Sequence, residues 1–122
     1  MMNVTGIGKM NWRGLIGQAV GLIYQPPLKR EREFYRRLRA LDDAVSAAPD
    51  DITQIVLRGE LLLERGEWER AKSDFERALA LADTLDDAKA WHIVEQVMRD
   101  RAAFGLRQVA RHERAAAQNA RG

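Results

Sequence analysis

Two histidines, His92 and His112, are the only imidazoles in this chain of 122 residues, and it has no cysteine. Without thiols there are no disulfides, no thiolate metal sites and no cysteine nucleophile. His92 stands beside Trp91 in a helical stretch with no carboxylate at ligand spacing, so it reads as a surface or groove histidine. His112 is followed by Glu113, but position 116 is alanine, so the H-E-x-x-H spacing of a zinc site is not met. Gly6-x-Gly8 and Gly14-x-x-Gly17 follow no strand and lack the context of a phosphate-binding loop. Glu60, Glu64, Glu67 and Glu69 gather carboxylates, but carboxylates along a helix without a shaped loop are ordinarily solvated. These residues assemble no catalytic or metal-binding constellation. The chain is expected to be non-enzymatic and to carry no cofactor.

Composition narrows the class further. Apolar residues make up 46% and charged residues 31%, which is the balance of a folding globular chain. The length suits one small domain with a modest core. No apolar run reaches the roughly 18 residues a membrane-spanning helix needs. Charge is unevenly placed. Residues 1–50 carry eight basic and five acidic groups, residues 51–87 five and ten, and residues 88–122 seven and three. The blocks are therefore +3, −5 and +4, a pattern that suits partners of either sign or self-association of the acidic middle with basic ends.

The elements follow from apolar periodicity, and all of them are helical. Trp12, Leu15, Ile16, Ala19, Val20, Leu22 and Ile23 share one broad face, with Gly14, Gly17, Gln18 and Gly21 opposite. Lys9 and Arg13 precede this stretch as in a secretory signal, but no small-x-small cleavage site follows, so cleavage is not expected. Pro26 and Pro27 end it. Leu28–Ala48 is the next predicted helix, with Phe34, Leu38, Leu41 and Val45 as its buried stripe. Asp50 and Asp51 stand where a helix N-cap is wanted, and Ile52–Arg65 follows. After Gly66, Trp68–Ala82 continues with Trp68, Ala71, Phe75, Ala78 and Leu79 at helical spacing. Thr84-x-x-Asp87 reads as a capping box before a last run striped by Trp91, Val94, Met98, Ala102 and Val109 and interrupted at Gly105. Three segments result: an amphipathic N-terminal segment (1–27), a helical domain (28–111) and a tail expected to fray (112–122).

A shift of 34 residues lines up Phe34 with Trp68, Leu41 with Phe75, Ala44 with Ala78 and Val45 with Leu79. The fullest unit is Ile55-x₂-Arg58-Gly59-x₂-Leu62, then Gly66, Trp68, Ala71-x₃-Phe75 and Ala78. That period and order resemble the tetratricopeptide repeat. Gly59 and Ala78 are small where two helices must approach, and Trp68 and Phe75 are large enough to fill the space between repeats. Arg58 departs from the usual leucine and Asp83 from the usual proline. One complete repeat with a half on each side is expected, an all-α hairpin array with the N-terminal amphipathic segment before it and a capping helix behind.

The resemblance implies a non-catalytic protein–protein interaction module, an adaptor or accessory subunit of an assembly. Its groove would present Thr53, Val56, Glu60, Leu63 and Glu64 from the first helix of the full repeat, and His92 from the next. Val56 and Glu60 stand where the carboxylate-clamping members of the family carry asparagine and lysine, so a basic or apolar peptide suits this face better. A second reading comes from the residues themselves. Trp12, Leu15, Ile16 and Ile23 form an apolar face directly before Lys29, Arg30 and Arg32, the make-up of a peripheral anchor on an anionic membrane. The same apolar face could instead cap the repeat or meet a second copy of the chain. Nucleic acid is the weakest partner class, since no recognition module accompanies the arginines. The expected location is the cytoplasm or the cytoplasmic face of a membrane.

Overall fold

A computed structural model of the chain describes residues 27–84 and 93–122. It consists of α1 (Pro27–Ala47), α2 (Ile52–Glu64), α3 (Trp68–Asp83) and α4 (Ile93–Arg121), with no strand among the described residues. The protein is all-α. The amphipathic stretch 12–24, Asp87, Trp91 and His92 lie outside the described residues. The chain divides between Tyr35 and Arg36 into two units. In the first, Phe34 and Tyr35 meet edge to face at 5.1 Å while Leu28 and Tyr35 remain exposed. The packing below belongs to the second unit.

Local chemistry sets each helix boundary. Pro27 opens α1 at the position where a missing N–H costs nothing, and the helix stops two residues short of Pro49. Asp51 caps α2, its Oδ1 accepting from the Thr53 backbone N–H at 3.0 Å. At the other end of α2 the Glu67 N–H donates to Leu62 O at 2.9 Å and the Gly66 N–H to Leu63 O at 3.0 Å. This is a Schellman closure, and it needs the left-handed backbone that Gly66 adopts at φ 81°. The tight turn sends α3 back along α2 as a helical hairpin. Thr84 closes α3, where its hydroxyl donates to Leu81 O at 2.6 Å and satisfies a carbonyl the helix end leaves open; the rest of the capping box read at Thr84-x-x-Asp87 lies outside the described residues.

The core forms where α2, α3 and α4 all meet one another. Ile55, Val56 and Leu62 of α2, Ala71, Phe75 and Ala78 of α3, and Ala102 and Val109 of α4 are buried there. Phe75 is the largest fully buried side chain among the described residues, and it lies between two glycines. A Cβ built on Gly59 would stand 2.8 Å from Phe75 Cε1, and one on Gly105 would stand 2.4 Å from Cε2 and Cζ. The ring takes the space both side chains would need, so it brings the backbones of α2 and α4 against opposite edges of the same residue.

Gly105 lies within α4, buried against Phe75. The exposed segment from His112 continues α4 as far as Arg121. Ala115, Ala116, Ala117, Gln118 and Ala120 are among the better helix formers, and two side-chain contacts hold the turn before them. Trp68 stacks on His112 at 3.9 Å between ring centroids with 10° between planes, and Lys72 donates to Glu113 at 3.2 Å.

Removing the ring should empty a space with no neighbouring side chain to fill it, because both flanking residues are glycine. We expect Phe75→Ala to cost about 3–5 kcal/mol in chemical denaturation, a large share of a small domain's stability. Alanine is the better helix former by about 1 kcal/mol, yet Gly59→Ala and Gly105→Ala should both destabilise, Gly105→Ala the more. Thermal melts of the two variants decide this; a rise in melting temperature for Gly105→Ala would overturn the placement of the ring.

Candidate functional site

Arginines and carboxylates cross-link the three-helix core, and they define its usable surface. Arg58 of α2 reaches Asp74 of α3 through two parallel hydrogen bonds, Nε to Oδ2 at 2.9 Å and Nη2 to Oδ1 at 2.8 Å. Its remaining nitrogen, Nη1, donates to Asp42 of α1 at 3.2 Å. Asp74 is the one charged residue buried among those described, at 5% exposure, and the bidentate fork supplies what burial of a carboxylate demands. The Asp74 hydrogen bonds hold the Arg58 guanidinium above its ordinary pKa, against the opposing pull of burial. The arginine that departs from the repeat pattern thus ties three helices together.

On the neighbouring face a groove of about 460 Å³ opens among α1, α2 and α4. Ala40, Leu41, Leu57 and Leu61 give it an apolar floor. Arg37 and Glu64 stand exposed at its rim. Glu60 and Arg101 close one wall, with Arg101 Nε donating to Glu60 Oε2 at 2.9 Å and Nη2 to Oε1. The Glu60 hydrogen bonds raise the pKa of Arg101. The arrangement can take an apolar side chain or helix edge and offers one charge of each sign at the mouth. It holds no nucleophile beside a base. Among the described residues no three histidine or carboxylate side chains converge as a metal would need.

The residues predicted for the site fall in several places. Glu60 and Glu64 line the groove. Val56 does not: it is fully buried on the side of α2 that faces the core. The buried residues of α2 are Ile52, Ile55, Val56, Gly59, Leu61 and Leu62; half-buried Leu57 and the edge of buried Leu61 line the groove with Glu60 and Glu64. Thr53 and Leu63 are half-buried outside the groove, and the Thr53 N–H is engaged by the Asp51 cap. His92, Trp12, Leu15, Ile16 and Ile23 lie outside the described residues. Lys29, Arg30 and Arg32 are exposed on the first turns of α1. Sequence reasoning missed Arg37, Leu41, Leu57, Leu61 and Arg101. Leu57 and Leu61 did carry a signal, an i,i+4 apolar pair left over once the core stripe of α2 is assigned.

No described helix is long and apolar enough to cross a membrane. No protein family, curated protein or solved structure matches the chain.

The Arg58 cluster yields a double-mutant test. Arg58→Met leaves the Asp74 carboxylate buried without its fork and should cost about 3 kcal/mol in urea unfolding. Combining it with Asp74→Leu should recover most of the loss, since a buried ion pair replaced by apolar groups is often neutral. The exposed pair of Arg77 and Asp50, at 3.4 Å, gives the contrast: Asp50→Ala should leave the curve unchanged.

Proposed function

We propose that this protein is a non-catalytic interaction module of tetratricopeptide-like build, acting as an adaptor or accessory subunit in an assembly. The observation that carries the reading is the groove: an apolar floor of Leu41, Leu57 and Leu61 with an open charged rim, formed among α1, α2 and α4. Supporting it are the small residues Gly59, Ala71 and Ala78 at the α2–α3 contact, and α2 touching both its hairpin partner and α4. Repeats of this kind bury their faces by stacking on neighbours, and a short array leaves a face for a partner to cover. The ligand best suited to it is a helical or extended peptide with one apolar anchor, flanked by a basic residue toward Glu64 and an acidic one toward Arg37.

The exposed Lys29, Arg30 and Arg32 favour one further reading, attachment to an anionic membrane surface on the cytoplasmic side. Flotation of the full chain with vesicles containing phosphatidylserine tests it. Lys29→Glu with Arg32→Glu should release the protein if the reading holds.

For the groove, the test is co-purification from the native cell together with a photo-crosslinking residue at position 57. We expect the partner to crosslink there, and Arg37→Glu with Glu64→Arg to reduce its recovery by about tenfold or more while the melting temperature is unchanged. Full recovery with the rim charges exchanged would remove the groove from function.

A further inference from the structure

The outer face of α4 has a two-part chemistry that neither the core nor the groove uses. Its inner face is Ala102, Gly105 and Val109, all buried. On the opposite side, Ile93, Val97 and Phe104 fall within about 40° of one another at 100° per residue. They are 76%, 47% and 56% exposed. Beyond Phe104 the same outer side carries Arg107, Arg111, Arg114 and Arg121, all exposed. Among the described residues none of these four is ion-paired; Arg107 lies over the Phe104 ring at 5.6 Å, where the two halves meet. Of the two acids in the apolar half, Glu95 and Asp100, Asp100 lies on the outer side, and its Oδ1 accepts from Gln96 at 3.2 Å.

We propose that this face docks an acidic amphipathic segment of another protein, one with apolar residues in one half and carboxylates in the other. The inference is independent of the groove. Charge complementarity selects this occupant, because only a partner with both parts satisfies both halves. A second copy of α4 would set arginine against arginine in parallel, or arginine against Ile93 and Val97 in antiparallel. Residues 1–26 contain no Asp or Glu to meet the arginines. A membrane-surface helix needs its apolar stripe along its whole length, and here the stripe stops at Phe104. Nucleic acid would engage the arginines but leave Ile93 and Val97 in water.

The test uses the full chain and synthetic helical peptides labelled for fluorescence anisotropy. The probe carries leucines at i, i+3, i+4 and i+7 in one half and glutamates on the same face in the other, in both chain directions. Its control replaces each glutamate with lysine. We expect one direction of the glutamate peptide to bind, and the lysine control not to. Phe104→Ser should weaken binding about tenfold. Arg107→Glu with Arg111→Glu should abolish it, and the binding should weaken as salt rises. All three positions are exposed, so circular dichroism should show each variant folded as the parent. Failure of both peptide directions, equal binding of the lysine control, or tighter binding to oligothymidylate or phosphatidylserine vesicles overturns the proposal.

Discussion

The fold depends on one aromatic ring seated between two glycines. Phe75 projects from α3, and the absent side chains of Gly59 and Gly105 are what admit it. Each glycine within a helix costs about 1 kcal/mol relative to alanine, so two of them are a real local penalty. Burying a phenylalanine ring contributes about 1.5–3 kcal/mol, and the close approach adds dispersion contacts of two helix backbones with one ring. The same placement explains why α2 and α4 touch each other as well as α3. With larger residues at 59 and 105, the two outer helices would be pushed away from the ring and from each other. Close packing makes this an all-or-none arrangement rather than an adjustable one.

Charge completes what the ring begins. A core of this size has little apolar surface to spare, and it contains one buried carboxylate. Asp74 is tolerated because Arg58 offers a planar fork that fills both its oxygens and still has a nitrogen left for Asp42. A lysine could not do this from the same position, since it presents a single ammonium rather than a fork. Arg58 is therefore paired with a carboxylate at position 74, sixteen residues later and across the hairpin.

How much of this the sequence disclosed depended on the range of the interaction. Short-range features were legible: the Asp51 cap, the Gly66 turn, the helical runs and the need for a small residue at Gly59 all lie within one hairpin. The role of Gly105 was not, because a glycine inside a helical pattern ordinarily marks weakness, and only the third helix's position shows the ring it meets. The segment after His112 joins α4 in a similar way. Its composition is helical, but the stack on Trp68 that holds its first turn spans more than forty residues. Val56 was placed in the groove by the repeat pattern. The actual rotation of α2, set by Ile55, Val56, Gly59 and Leu62 facing inward, leaves half-buried Leu57 at the groove and Leu61 beneath it, buried. A one-residue error moves a side chain by about 100° on a helix, enough to exchange core for surface.

The three-block charge pattern now has a physical distribution. Three of the ten acids of the middle block are met inside the fold. Asp74 engages Arg58 of the same block, while Glu60 and Asp83 engage Arg101 and Arg99 from the first half of α4. What read as an invitation to self-association is thus satisfied in part within one chain. The pairing stops there. Past Phe104, α4 carries four arginines on its outer side, with Glu113 turned toward Lys72 of α3. Exposed charges of one sign on a helix repel one another and add little to folding stability. Nothing in the packing of α2, α3 and α4 requires arginine at 107, 111, 114 or 121, since Ala102, Gly105 and Val109 make the contact on the other side. The first half of the helix spends its arginines on the fold; the second half holds its own outward, beside apolar side chains the core does not cover.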